Sequence, residues 1–162
     1  AAFQHAYDRR WGHDGTRDYR DAFAIDQALD NTGSPRDVME LLAMIVEGRC
    51  ASAPSCRLML AVMGRQEWRE KIPAGLPDGL FVANKTGGVA GTSNDAAVVC
   101  AAGAAPVVIV VFSKGLDLAQ LRRAPATIAA IAGTVYNHLK EAPAPVAGNL
   151  TPWATGATGG GA

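Results

Sequence analysis

The run Val107-Val108-Ile109-Val110-Val111-Phe112 constrains the fold more than any other stretch of this chain. It is too short for a helix of its own, mostly β-branched, and apolar at both odd and even positions, so as a strand it is apolar on both faces. Such a strand needs cover above and below, and a central place in a sheet flanked by helices is expected for it. Upstream lies a second β-rich run, Asp95-Ala96-Ala97-Val98-Val99-Cys100-Ala101. The link Gly103-Ala104-Ala105 between the two is tight enough to argue for an antiparallel hairpin. Strands are expected over residues 80–85, 95–101 and 106–113.

Helices are expected on either side of this β-rich middle. Ser34-Pro35-Arg36-Asp37 has a serine that can cap, a proline suited to the first helical position and an acid for the first turn. Val38, Leu41, Leu42, Ile45 and Val46 then recur at the spacing of a buried helical face, and Gly48 is a natural stop. A second helix is expected from residue 54 to 63, with a further turn at 66–71, followed by a loop at 72–79 rich in proline and glycine. Residues 117–139 read as a long helix with Ile128, Ile131, Ala132, Val135, Tyr136 and Leu139 on one face, kinked or first started at Pro125. A short helix is expected at residues 21–29.

At 162 residues and 49% hydrophobic, the chain suits one domain with a real core. Its division is expected to be a loop-rich lead at 1–30, a folded part at 31–142, and a flexible tail at 143–162 made largely of alanine, glycine and proline. Fifteen basic and fifteen acidic residues cancel, which leaves no electrostatic footprint for nucleic acid or an anionic membrane. No apolar stretch nears the ~20 residues of a bilayer span, and no signal peptide is visible at the start. Cys50 and Cys56 fit either a bridge in an exported protein or two thiols packed as small apolar groups, so localisation stays open. His5 and His13 with Asp8 and Asp14 match no established metal-site spacing, and neither a metal nor any other cofactor is expected. Gly87-Gly88-Val89-Ala90-Gly91 is not a nucleotide-binding glycine loop.

Chemistry is expected at Lys85-Thr86-Gly87-Gly88, where a strand ends in a cation, a hydroxyl and two glycines. That combination can bind a carboxylate beside exposed backbone N–H groups, which suits acyl transfer on an anionic amide or ester. Several other segments fall in the same order as in a known superfamily. They are Thr32-Gly33-Ser34-Pro35-Arg36-Asp37-Val38 opening a helix, Arg69-Glu70-Lys71-Ile72-Pro73-Ala74-Gly75-Leu76-Pro77, Val82-Ala83-Asn84-Lys85-Thr86-Gly87, Gly91-Thr92-Ser93-Asn94-Asp95-Ala96, and a last helix carrying Arg122-Arg123. Over residues 31–138 the chain resembles the C-terminal half of the serine β-lactamase and DD-peptidase superfamily, nearest its class A branch.

The resemblance implies an α+β fold, an antiparallel β-sheet with packed helices, completed by an N-terminal half or companion chain outside this sequence. It implies that Lys85 lends positive charge, that Thr86 hydrogen-bonds a substrate carboxylate beside Gly87, and that the Gly88 N–H is one of two oxyanion donors. Many members bind the carboxylate with an arginine near the position of Ser93; some place it on the last helix instead, which by resemblance would be Arg123 or Arg122 here. The superfamily nucleophile lies in Ser-x-x-Lys. None of Ser34, Ser52, Ser55, Ser93 and Ser113 has lysine three residues later, so the nucleophile is expected from a segment outside this chain. Residues 1–33 also hold no glutamate to activate a deacylating water. Slow acyl-enzyme chemistry on carboxylate-bearing β-lactam or D-Ala-D-Ala-like substrates is therefore expected ahead of efficient β-lactam hydrolysis. A cephalosporin-type esterase and a non-catalytic relative are the alternatives.

Overall fold

The computed structural model describes residues 32–88, 91–101 and 103–141. The expected helix at 21–29, the tail at 143–162, and His5 and His13 lie outside them. The order is helix α1 (Pro35–Val46), helix α2 (Ala53–Met63), a 3₁₀ helix (Ile72–Gly75), strands β1 (Phe81–Gly87), β2 (Asn94–Cys100) and β3 (Val107–Val111), and helix α3 (Leu118–Glu141). The strands form one antiparallel sheet in the order β1-β2-β3.

Local chemistry explains the helix ends. The Asp37 N–H donates to the Ser34 hydroxyl and the Ser34 N–H to the Asp37 carboxylate, closing a capping box at the start of α1. The Ser34 N–H, and after it the Ser34 hydroxyl, hold the Asp37 carboxyl below its usual value. At the other end Gly48 takes φ +69°, and the N–H groups of Gly48 and Arg49 donate to the Ile45 and Met44 carbonyls. That is the paired pattern of a left-handed helix stop. Asp117 and Gln120 repeat the reciprocal cap before α3, and α3 then runs unbroken through Pro125.

The sheet is covered on both faces. One core joins Leu42 and Ile45 of α1, Cys56 and Leu60 of α2, and Ala83, Ala96 and Val98 of the sheet. The other joins Ile72, Val82, Ala97, Val99, Ile109, Ile128 and Ala132. Strand alternation sends neighbouring residues to opposite cores, as with Ala83 and Val82. Cys50 and Cys56 are free thiols with sulfurs 3.7 Å apart, and burial pushes the Cys100 thiol up to about 12.

Four expectations need correction. Among the described residues the apolar run at 107–112 stands at an edge rather than in the centre: β2 lies between β1 and β3, and only Ile109 of β3 is fully buried. It touches both cores, which is why it is apolar throughout, but two-sided cover does not require a strand neighbour on each side. Residues 72–75 form a 3₁₀ helix rather than loop, and Ile72 is wholly buried. Leu41, Ile131 and Leu139, read as buried helical positions, are 52%, 41% and 42% exposed. Residues 66–71 hold only a bend and the start of a turn before the 3₁₀ helix.

Candidate active site

The end of β1 gathers the expected chemistry at one corner of the sheet. Lys85 is exposed, Thr86 and Gly87 are half-buried, and Gly88 is exposed immediately after the strand. Because β1 pairs only with β2 among the described residues, this segment lies on a sheet edge. Lys85 stands opposite Ala96, on the face toward α1 and α2, whereas Thr86 stands opposite Asp95, on the face toward α3. The two side chains thus leave the strand in opposite directions. The Lys85 ammonium donates to the Thr86 carbonyl.

Beneath this corner lies a buried polar set. Asp95 has no exposed surface, yet it accepts from the Ile72 N–H at 3.0 Å, the Asn84 amide at 3.2 Å and the Ala96 N–H at 3.1 Å. Burial pushes its carboxyl above the usual value; the Asn84 and Ile72 bonds, the Lys71 charge and the Ala96 N–H act against that. Asn84, also fully buried, donates to the Trp68 carbonyl at 3.2 Å. Arg69 donates to the Val82 carbonyl at 3.0 Å and reaches the Asn84 side-chain oxygen at 3.5 Å. Lys71 is only 8% exposed, and its ammonium donates to the carbonyls of Gly87 at 3.3 Å and Asn94 at 3.1 Å. Among the described residues no buried side-chain polar atom lacks a partner.

A second tie holds the start of β2. The Ser93 N–H donates to the Ser113 hydroxyl at 3.0 Å, that hydroxyl donates to the Ser93 carbonyl, and the Ser113 N–H donates to Asn94 Oδ1 at 2.9 Å. Ser93 is 5% exposed, so it is packed rather than presented. Arg123 is exposed on α3 and lines a groove of about 340 Å³ with Ser113, Gln120 and Thr127. Lys85, Thr86, Gly87 and Gly88 do not line that groove.

Lys85 to Gly88 are thus contiguous and Ser93 immediately precedes β2, while Arg123 lines the groove beside α3 together with Ser113, the hydrogen-bond partner of Ser93. Sequence reading did not single out Lys71, Asn84 and Asp95 for roles at this corner. A signal was available for two of them: Asn84 and Asp95 fall on the strand face otherwise set by Val82, Ala97 and Val99.

A sequence model of the beta-lactamase enzyme family matches residues 4–139, most of the chain. The chain belongs to the beta-lactamase enzyme family. The match begins well upstream of the residues on which the motif resemblance rests. A curated relative in the family, the carbapenem-hydrolyzing beta-lactamase KPC of Klebsiella oxytoca, is 36% identical over 94 residues, which cover 56% of this chain and 32% of KPC. Among solved structures, the beta-lactamase of Sphaerobacter thermophilus is 27% identical with a TM-score of 0.62, over 68% of this chain and 42% of that one. A point mutant of PBP-A, solved as an acyl-enzyme complex with penicillin G, is 27% identical with a TM-score of 0.63, over 88% of this chain and 52% of that one. This beta-lactamase-family chain spans about a third of KPC and about half or less of the two structures. Its antiparallel sheet with packed helices is the fold they share.

Proposed function

We propose that this chain forms the Lys-Thr-Gly wall of a serine acyl-hydrolase site of the β-lactamase and penicillin-binding type. The nucleophile is a serine of a Ser-x-x-Lys segment outside this sequence, on the same polypeptide or a companion chain. The observation that carries the reading is the corner itself: in a member of this family, Lys85, Thr86 and Gly88 stand at a sheet edge over a fully satisfied polar base. The substrate is a small amide or ester bearing a carboxylate. Lys85 supplies positive charge beside the nucleophile, and the Thr86 hydroxyl binds the carboxylate. The Gly88 N–H donates to the oxygen that becomes negative as the serine oxygen bonds the carbonyl carbon; losing one such donor typically costs about 10²–10³ in rate. Gly87 keeps side-chain bulk away from the mouth. Arg123 is a further carboxylate contact only if the bound substrate extends toward α3.

The experiment is covalent labelling of the intact protein with a fluorescent penicillin. A labelled band that persists for hours is expected, as for a penicillin-binding protein, because residues 1–33 contain no glutamate to activate a deacylating water. Turnover within seconds would place the protein among efficient β-lactamases. Absence of labelling would favour the second reading, a non-catalytic relative kept for binding. The packed Ser93, at a position where the resemblance expects an arginine, is the observation that favours that reading.

A further inference from the structure

We propose that Lys71 is a positioning residue for this site, a clamp that fixes the Gly87-Gly88 backbone from behind; the proposal rests on the acyl-hydrolase reading for its function but not for its geometry. Gly87 and Asn94 are partners in the β1–β2 register, at the end of the hairpin where the connecting segment leaves and returns. The Lys71 ammonium donates to the carbonyl of each, at 3.3 and 3.1 Å, and so ties the last residue of β1 to the first residue of β2. Two successive glycines have more backbone freedom to lose than any other pair, so without an outside tie the Gly88 N–H would sample many directions. Oxyanion stabilisation depends on donors already aimed before charge develops.

The clamp is itself held. Ile72, the next residue, is fully buried and donates its N–H to Asp95 on β2, one residue beyond the Asn94 carbonyl that Lys71 grips. The Asp95 carboxylate also lies close enough to interact with the Lys71 charge. Three residues further on, Gly75 packs backbone against backbone on Ala129 of α3. Helix α3, the 3₁₀ helix and the strand mouth thereby form one connected support, with Lys71 the member that touches the mouth. Its burial at 8% exposure sets it apart from the exposed Lys85, whose ammonium stays on the outer surface.

The test uses the intact protein with Lys71→Met, which keeps the length and removes the donor, and Lys71→Arg, which keeps charge and donors. Amide hydrogen exchange at Gly87, Gly88 and Asn94 is expected to quicken at least about tenfold in Lys71→Met, beyond any change at Val98 and Val99 in the middle of β2. Lys71→Arg should recover most of the protection. With a fluorescent penicillin, Lys71→Met should lower the acylation rate constant about tenfold or more while leaving the pre-acylation binding constant within about threefold. Exchange that is unchanged, or raised equally across β2, overturns the proposal. So does a wild-type acylation rate constant in Lys71→Met. If the wild-type protein is not labelled at all, the acyl-hydrolase reading fails alone, and the exchange data still decide whether Lys71 holds the mouth.

Discussion

Gly75→Ala is expected to destabilise the intact protein by about 3 kcal/mol or more, a loss of roughly 10 °C in Tm. A Cβ built on Gly75 would lie 1.8 Å from the Ala129 carbonyl oxygen and 2.6 Å from its carbon. Both belong to the backbone of α3, so no rotamer change relieves the overlap; the 3₁₀ helix and α3 must move apart. The approach is mutual, since a Cβ on Gly133 would lie 2.7 Å from the Gly75 oxygen. Separation would draw Ile72 out of its core and strain its bond to Asp95, so the effect should reach the candidate site. Gly79→Ala is the control. Gly79 has φ +83° but nothing within 4 Å of the new atom, so only the left-handed backbone is penalised, at about 1 kcal/mol. Thermal unfolding of the two variants checks the difference; equal losses would mean that the glycine contact does not hold the 3₁₀ helix.

The second large effect is expected at Asp95. Asp95→Ala leaves the Ile72 N–H and one N–H of the Asn84 amide without an acceptor in a site closed to water, while the other Asn84 N–H keeps the Trp68 carbonyl. Each orphaned group costs about 1–3 kcal/mol. A total of about 2 kcal/mol or more is expected by urea unfolding at pH 7, the sum of two such losses at the lower end of that range. Asp95→Asn should cost less, because one amide oxygen still accepts while its NH₂ faces donors. The pH dependence has a definite sign. Burial raises the folded-state value above the unfolded 3.8, so the folded protein favours the protonated carboxyl. The stability linked to that proton is complete below about pH 3.8 and is lost as pH climbs through the raised folded value. The stability difference between wild type and Asp95→Asn should therefore be largest in acid and narrow as pH rises through that window. A difference that widened with pH would show that the hydrogen bonds and Lys71, rather than burial, set the carboxyl.

Much of this architecture is legible in the sequence because it depends on local rules. The Ser34-Pro35-Arg36-Asp37 cap, the Gly48 stop and the three β-rich runs each state their conformation within a few residues. What escapes is what depends on distant partners. The run 107–112 reads as central, but whether a strand gains a second neighbour is not written in its own residues. Ile72-Pro73-Ala74-Gly75 carries loop composition, yet α3 offers glycine and alanine where the segment docks, and that match joins residues far apart in the chain. Leu41, Ile131 and Leu139 fit the helical period, but the described residues leave them uncovered. At the site, Lys85, Thr86 and Gly88 are readable as a motif. Lys71, Asn84 and Asp95 are not, because their roles come from hydrogen bonds that bridge the 3₁₀ helix, β1 and β2.

The most direct test of the central claim is the acylation rate constant of Lys85→Ala in the intact protein, measured with a fluorescent penicillin beside its thermal stability. Lys85 is exposed and packs in neither core, so Tm should stay within about 2 °C of wild type while acylation slows by an order of magnitude or more. Acylation at the wild-type rate in a stable Lys85→Ala protein would contradict the account and leave Lys85 as a solvated strand-end lysine.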